Sequence, residues 1–331
     1  MELWIDAALI VLGALLIDAI IGDLPNAVHP LRWMGNILGW LDRRIRRGGR
    51  TATRLKGFLS FLLVVFLFGS AAFLVLSGVR IYLGEIAWII VSAFLLKITF
   101  AVFSFRRHCR PIKRDLENGD TAAAAAKVQM IVSRRTEGMD SEHIASSCCE
   151  TISENFADSV VSPMFFNGIL GLPGAIVFRC SNLMDAMWGY LNDKYGDLGF
   201  FPARFDDVLG YLTSRISPAF LALAAVLMRM DWRAAIPAAR ADHGKTPSPN
   251  SGWPMTAAAA VLGISMEKKD VYVMGTGPLP TPEDISRCYR LVELSSVLFI
   301  IMAGLPLFCL LGIHVQLYVE GAYALVWGLL P

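Results

Sequence analysis

Long apolar runs alternate with polar stretches along this chain. Four of the runs have about the length that a membrane helix needs, and they cover residues 3–21, 57–76, 86–105 and 294–313. A fifth run, at residues 208–228, is interrupted by Arg215 and Pro218. A shorter apolar stretch at residues 163–178 is rich in Gly and Pro, which favours a re-entrant segment or burial in protein. The pattern predicts an all-α integral membrane protein with about four to six membrane helices.

Basic residues concentrate in two of the polar stretches. The first contains Arg43, Arg44, Arg46, Arg47, Arg50, Arg54 and Lys56. The second contains Arg106, Arg107, Arg110, Lys113 and Arg114. Because cytoplasmic loops of membrane proteins carry the excess of Lys and Arg, both stretches are predicted to be cytoplasmic and the N-terminus to lie outside. The first stretch also has the charge to contact anionic lipid head groups.

These features divide the chain into four predicted segments. They are residues 1–105 with N-terminal membrane helices and a basic cytoplasmic loop, residues 106–207 with a polar helical region on the cytoplasmic side, residues 208–292 with a candidate membrane helix and a Pro-Asn stretch, and residues 293–331 with the C-terminal membrane helix. Residues 315–330 are expected to pack against that last helix or to lie in the interface. The prediction is a multi-pass protein of the cell membrane.

The polar region contains a predicted helix that Asp140 or Ser141 can cap. Its apolar face recurs every fourth residue, at Ile144, Cys148, Ile152, Phe156 and Val160. An acidic stripe has the same spacing on another face, at Glu150, Glu154 and Asp158. Like charges at this spacing destabilise a helix by about 0.2–0.5 kcal/mol per pair, so a cation is expected opposite. One interpretation is a Mg²⁺ site that binds substrate phosphates, since this ion prefers oxygen ligands. The alternative is a solvent-facing stripe, or one neutralised by Arg134 and Arg135.

Composition excludes several classes of protein. The chain has 331 residues, of which 55% are hydrophobic, and a formal net charge of only +2, which argues against nucleic-acid binding. Its six cysteines lack the spacing of a zinc site, and no disulfide framework is expected. The sequence has no P-loop, dinucleotide fingerprint, zinc-protease motif or nucleophile elbow. General motifs therefore leave the activity open.

Short polar motifs nevertheless follow one another along nearly the whole chain. They are Gly22-Asp23-Leu24-Pro25 with His29-Pro30, Ser133-Arg134-Arg135-Thr136, Glu150 to Asp158 with Ser162-Pro163, Asn182-Leu183-Met184-Asp185, Ala203-Arg204-Phe205-Asp206-Asp207, and Ser248-Pro249-Asn250-Ser251-Gly252-Trp253-Pro254. In content and order they resemble the motifs of the CobD/CbiB family of cobalamin-biosynthesis proteins. The chain departs from the family pattern at two places. After Asp207, the family's Pro-Ala-Arg-Leu is replaced by a different stretch in which only Arg215 is retained. Before Pro249-Asn250, Ser248 stands where the family has His. The first departure puts a local turn in doubt.

The resemblance implies an adenosylcobinamide-phosphate synthase. Such an enzyme is an ATP-dependent amide ligase that joins adenosylcobyric acid to (R)-1-amino-2-propanol or its O-phosphate, and Mg²⁺ is implied with the ATP. The polar helical region would then be the catalytic region, on the cytoplasmic side of the lipid bilayer. A second copy of the chain or other corrinoid-pathway enzymes are the implied protein partners. Two other functions stay open: a non-catalytic membrane sensor of the AmpE type, and a corrinoid transporter.

The resemblance also assigns roles to individual residues. The candidate catalytic carboxylates are Glu150, Glu154, Asp158, Asp185 and Asp207, of which the first three are also the candidate metal ligands. The candidate substrate-binding residues are Asp23, His29, Arg134, Arg135, Asn155, Asn182, Arg204, Asp206, Asn250 and Trp253. For Asp23 and His29 a loop-capping role is the alternative, and for Arg204 with Asp207 it is a structural ion pair.

Overall fold

A computed structural model of the chain describes residues 2–25 and 27–328. The helices are α1 (Leu3–Ile20), α2 (Pro30–Arg44), α3 (Arg50–Leu83), α4 (Glu85–Thr99), α5 (Ser104–Glu117), α6 (Thr121–Val128), α7 (Ser141–Phe156), α8 (Ser162–Leu170), α9 (Leu172–Trp188), α10 (Phe200–Leu227), α11 (Ala235–Asp242), α12 (Gly252–Leu262), α13 (Pro282–Phe299), α14 (Leu305–Leu307) and α15 (Ile313–Gly328). The strands of one short hairpin are β1 (Met266–Lys268) and β2 (Tyr272–Met274). The all-α prediction is therefore confirmed.

Helix length and composition agree with the predicted membrane class. Within the described residues, four helical stretches are long and apolar enough to cross a membrane: Leu3–Ile20, Arg50–Leu83, Phe200–Leu227 and Pro282–Gly328. A fifth span results if α4 and α5, which are bent by 45° at their junction, count as one. The chain is thus an all-α membrane protein, as its hydropathy pattern predicts.

Several element boundaries differ from the predicted ones. Helix α3 begins at Arg50, so part of the first basic stretch is helical. The short apolar stretch at residues 163–178 forms α8 and α9, which meet at Gly171. The backbone φ at Gly171 is +69°, and a Cβ there would lie 2.5 Å from the Gly312 carbonyl oxygen, so the junction requires glycine. Asn26, in the predicted turn before α2, and residues 329–330 lie outside the described residues.

The chain forms two compact units whose segments alternate along the sequence. The described parts of residues 1–101, 162–209 and 301–331 form the first unit. Within it, α1 packs on α4, and α3 packs on α4, α9 and α15. A core cluster in this unit consists of Met34, Leu38, Leu41, Phe61, Val64, Cys180, Met184, Trp188 and Leu198. Several neighbouring helices thus cover the apolar side chains of the long helix α3.

The second unit comprises residues 102–161 and 210–300 and is built around α7. Helix α7 packs on α13, α12, α5, α6 and β1. The predicted apolar face is fully buried, with 0% exposure at Ile144, Cys148, Ile152, Phe156 and Val160. Asp140 caps the helix, because its side chain accepts a 2.9 Å hydrogen bond from the His143 backbone N–H. From Ala157 to Val161 the helix widens to π-type.

Candidate functional site

A polar cavity of about 320 Å³ lies in the second unit, and we call it the Glu154 cavity. Helix α7, the segment before it, the turn before α12 and the hairpin all contribute lining side chains. The polar side chains that line the cavity include Arg134, Glu150, Glu154, Asn155, Ser248, Lys268 and Tyr272. The cavity therefore brings three of the predicted motifs together in one place.

Glu150 is the most connected side chain of this cavity. It is buried, with 2% exposure, and forms an ion pair with Arg134. Its carboxylate also accepts hydrogen bonds from the Ser146 hydroxyl at 2.9 Å and the Tyr272 hydroxyl at 2.7 Å. A carboxylate is tolerated in a buried position when it is paired and hydrogen-bonded in this way. Glu150 therefore fixes the positions of Arg134 and Tyr272.

The hairpin completes this network from the other side. The Arg134 guanidinium donates to the Glu267 carbonyl oxygen at 3.4 Å, and the Glu267 backbone N–H donates to the Ser146 hydroxyl at 2.7 Å. Burial raises the pKa of Tyr272, and the negative charge of Glu150 raises that pKa further. The Tyr272 hydroxyl therefore stays protonated and acts as a donor.

The three carboxylates of the acidic stripe lie in different surroundings. Glu154 lines the cavity, whereas Asp158 lies in the π-helical turn, where α-helical spacing no longer holds. Glu150 is already compensated by Arg134. Within residues 2–25 and 27–328, no three His, Cys, Asp or Glu side chains come together in a way that would hold a metal ion. The metal role of these three carboxylates stays a prediction.

Asn155 is held within its own helix. Its side-chain amide donates to the Thr151 carbonyl oxygen at 2.9 Å, and its Oδ1 accepts from the Ser159 hydroxyl at 2.9 Å. These bonds fix the orientation of the amide at the edge of the Glu154 cavity.

Asn250 and Trp253 belong to a separate polar and aromatic cluster of the same unit. The buried Asn250 Oδ1 accepts from the Ser214 hydroxyl and from Arg215, both at 3.3 Å. The Arg215 guanidinium lies 5.0 Å from the ring centroid of Trp253, which stacks on His243 at 4.1 Å. Both predicted binding residues are therefore engaged by neighbouring side chains.

A second cavity of the same unit, about 360 Å³, contains Arg135, and we call it the Arg135 cavity. Its charged lining residues are Arg134, Arg135, Glu137, Asp140, Lys268 and Lys269, together with His143. Arg134 and Lys268 line both cavities. The two arginines of the Ser-Arg-Arg-Thr motif are thereby separated: one reaches both cavities, and the other only the second.

Asp23 and His29 belong to the first unit. Asp23 accepts a 2.7 Å bond from Lys97, which also lies 2.9 Å from Asp18. His29 caps α2, because its Nδ1 accepts from the Leu31 backbone N–H at 3.2 Å. Burial lowers the pKa of His29, although the negative charge of Asp23 acts in the opposite direction. The lowered pKa keeps the imidazole neutral, so its Nδ1 can accept the hydrogen bond. The geometry at His29 is that of a helix cap.

The other predicted residues of the first unit lie on α9 and α10. The Asn182 side-chain oxygen accepts a 3.1 Å hydrogen bond from the Arg179 guanidinium. The Arg204 guanidinium forms a 3.3 Å ion pair with the Asp207 carboxylate. The neighbouring Asp206 is half-buried. Burial raises the pKa of Asp185 to about 6, and the charge of Asp207 contributes to the shift. A carboxyl with this pKa exchanges its proton near neutral pH, which suits a general acid or base.

Sequence reasoning missed Ser146, Lys268 and Tyr272. The hairpin that carries Lys268 and Tyr272 has strands of three residues each, too short for an alternating pattern to stand out. Ser146 lies one helical turn before Glu150, so its spacing was the one available signal.

Comparisons with known proteins bear on the whole chain. A family model described as CobD/Cbib protein matches residues 11–292. A probable cobalamin biosynthesis protein CobD of Methanothermobacter thermautotrophicus is 37% identical over 266 residues, 80% of this chain and 86% of that protein. The cobalamin biosynthesis protein CobD of Dehalococcoides mccartyi is 34% identical over 299 residues, 90% of this chain and 96% of that protein. No solved structure gives a significant match. The chain therefore belongs to the CobD/CbiB family of cobalamin biosynthesis proteins.

Proposed function

We propose that this chain is an adenosylcobinamide-phosphate synthase, which joins adenosylcobyric acid to (R)-1-amino-2-propanol O-phosphate, or to the free amino alcohol, with ATP. Family membership supports a role in cobalamin biosynthesis. The observation that supports the ligase chemistry is the Glu154 cavity, where a carboxylate and an amide face the same space as two cations. An amide ligase that handles phosphates needs this combination of groups.

The reaction explains why those groups are needed. A carboxylate resists attack by an amine, so we propose that a propionate oxygen of the corrinoid first attacks the γ-phosphorus of ATP and releases ADP. The amine nitrogen then attacks the acyl carbon of the acyl phosphate, and inorganic phosphate leaves. The nitrogen must lose protons for the amide to form, and a base accepts them.

Residues of the Glu154 cavity match these steps. Arg134 and Lys268 supply positive charge for phosphate oxygens, and Glu154 is the proposed base for the amine. Asn155 presents a fixed amide for hydrogen bonding to substrate. Glu150 is a positioning residue, because it holds Arg134 in place before substrate binds. Such preorganisation reduces the reorganisation that charge development would otherwise require.

We further propose that Mg²⁺ accompanies ATP and screens its phosphate charge. Among the residues that the structure describes, no three His, Cys, Asp or Glu side chains form a ready ligand set for the ion. Asp185 and Asp207 remain predicted catalytic groups, and Asp185 has the pKa of a proton-transfer residue. Basic stretches around Arg43 and Arg106 support a cytoplasmic location for the reaction.

A mass-spectrometric assay tests the proposal. The purified full chain in detergent is incubated with adenosylcobyric acid, aminopropanol phosphate, ATP and Mg²⁺, and each component is omitted in turn. We expect an amide product that requires ATP. Uptake of a corrinoid into proteoliposomes without chemical change would instead identify a transporter, and corrinoid binding without product or uptake would favour a sensor.

A further inference from the structure

Helices α5 and α13 pack on each other in the second unit and run in opposite directions. Arg106, near the start of α5, forms an ion pair with Glu293. Lys113, farther along the same helix, forms one at 2.6 Å with Glu283, near the start of α13. The start of α5 therefore lies beside the later part of α13.

Both helices adjoin an apolar segment at this same end. Helix α5 follows the apolar helix α4 after residues 100–103. Helix α13 begins a continuous helical stretch, Pro282–Gly328, which contains the apolar run at residues 294–313. We call residues 104–110 of α5 and 287–293 of α13 the membrane-proximal end of this helix pair, because each lies next to a segment apolar enough for a membrane.

Charge is distributed unevenly between the two ends of the pair. The membrane-proximal end carries five arginines and one carboxylate, namely Arg106, Arg107, Arg110, Arg287, Arg290 and Glu293. The other end carries two cations and four carboxylates, namely Lys113, Arg114, Asp115, Glu117, Glu283 and Asp284. Basic residues next to a membrane helix are attracted to anionic lipid head groups, which would repel carboxylates. The charges are thus sorted as contact with an anionic membrane surface requires.

Two of the five arginines have carboxylate partners on α13. Arg106 donates two hydrogen bonds to the buried Glu293 carboxylate, one of them at 2.8 Å. Arg287 lies 2.6 Å from Asp284. These pairs join α5 to α13 and order the start of α13, so they account for Arg106 and Arg287 as structural residues.

Arg110 and Arg290 differ from these two arginines. Both are exposed, and neither forms an ion pair among the residues that the structure describes. Arg110 is hydrogen-bonded to the Tyr289 side chain, and its guanidinium lies 6.0 Å from the centroid of that ring. A tyrosine hydroxyl orients the guanidinium without neutralising its charge.

Tyr289 and Glu293 place the two exposed arginines on one part of the surface. Arg110 and Arg290 both interact electrostatically with Tyr289, and both also interact with Glu293. Glu293 is only 5% exposed and already has Arg106 as its hydrogen-bonded partner. The single carboxylate is therefore buried while two guanidinium groups lie outside it, which leaves positive charge in excess at the surface.

We propose that Arg110 and Arg290 bind the phosphate of an anionic phospholipid at the membrane surface. Guanidinium groups present several N–H donors in a geometry that matches phosphate oxygens. A lipid fits better than a soluble anion, because the neighbouring apolar segments offer contacts for its acyl chains. Such a lipid fixes the membrane-proximal end of α5 and α13 at the bilayer surface. This site goes beyond the proposed ligase activity and does not depend on it.

Titration of the purified full chain in a nonionic detergent tests the site without turnover, with calorimetry as the measurement. The first probe is dioctanoyl phosphatidylglycerol, which is anionic. Dioctanoyl phosphatidylcholine has the same chains without net charge, and glycerol phosphate has the anionic group without chains. We expect phosphatidylglycerol to bind about tenfold or more tightly than either of the other two.

Paired substitutions locate the binding on the surface. Arg110→Gln with Arg290→Gln should weaken phosphatidylglycerol binding about tenfold or more and leave phosphatidylcholine binding within about twofold. Arg110→Lys with Arg290→Lys keeps both charges and should retain most of the affinity. The control is Arg114→Gln with Arg240→Gln, which removes the same charge from exposed positions outside the membrane-proximal end. Its affinity should stay within about twofold of the unchanged protein.

Three results would overturn the proposal. They are equal binding of phosphatidylglycerol and phosphatidylcholine, equal losses in the glutamine pair and the control pair, and glycerol phosphate binding as tight as that of phosphatidylglycerol. The last result would identify a site for a soluble anion. Far-UV circular dichroism separates a loss of binding from a loss of fold. If the glutamine pair does not fold, Arg290→Gln alone carries the test, with an expected loss of about fivefold.

Discussion

Lys97 in the first unit and Arg134 in the second are both paired with carboxylates, yet their surroundings differ. In the first unit, Lys97 lies 2.9 Å from Asp18 and 2.7 Å from Asp23, and only 4% of its side chain is exposed. In the second unit, Arg134 has one carboxylate partner, Glu150, and lines two cavities. The first cation is enclosed between two carboxylates, whereas the second lines open space.

This difference separates a structural use of charge from a binding use. Charges inside a membrane protein are costly unless paired, and Lys97 connects α4 to α1 and to the turn that follows α1. Arg134 is fixed by Glu150 and lines a cavity that Lys268 also lines. Substitutions around Lys97 should therefore lower the stability of the protein, whereas substitutions around Arg134 should lower its activity.

The largest expected effect is on Lys97. Lys97→Met leaves the buried carboxylate of Asp18 without its cation, so the free energy of unfolding should fall by about 3–5 kcal/mol. Thermal unfolding in detergent, followed by tryptophan fluorescence, measures the loss. The double variant with Asp18→Asn should recover part of it. An unchanged unfolding temperature for Lys97→Met would show that the cluster is not structural.

Glu154 should behave in the opposite way. Glu154→Gln removes the proposed base while keeping the shape of the side chain, so the turnover rate should fall by about 100-fold or more. The unfolding temperature should stay near that of the unchanged protein, because Glu154 borders a cavity. Glu142→Gln, at an exposed position of the same helix, is the matched control. A turnover rate equal to the control's would remove Glu154 from the mechanism.

Glu150 should show both effects at intermediate size. Glu150→Gln removes the charge that compensates Arg134, so we expect a loss of about 1–3 kcal/mol in unfolding free energy. KM for the phosphorylated substrate should also rise, since Arg134 is no longer fixed. A double-mutant cycle with Arg134→Met measures the coupling, and strictly additive losses would contradict a positioning role.

Asp185 gives a smaller effect that depends on pH. Its pKa is raised from 3.8 to about 6, chiefly by burial, so the ionised carboxylate destabilises the folded state above about pH 6. As the pH falls from 6 toward 3.8, this destabilisation disappears. Asp185→Asn should therefore raise the unfolding temperature at pH 8 and have progressively less effect below pH 6. The exposed Asp193→Asn should show no such trend; a pH-independent gain for Asp185→Asn would contradict the assignment.

The sequence predicts those features of the site that depend on residues close together along the chain. The Asp140 cap and the buried face from Ile144 to Val160 follow from helical spacing, and the structure confirms both. The hairpin was not predicted, because six strand residues carry little pattern. The hydropathy pattern places Lys97 within an apolar run, because hydropathy averages over a single charge whose partners lie far away in sequence.

The sequence alone determined the membrane class, the helical content and the family, because apolar length, helical period and ordered motifs are properties of consecutive residues. Only the tertiary structure decided which charges are paired and which face open space. Glu150 belongs to the predicted acidic stripe, yet its role depends on Arg134, sixteen positions earlier, and on Tyr272, from a hairpin 122 positions later. Pairing of this kind depends on distances in space, and spacing along one helix cannot specify them.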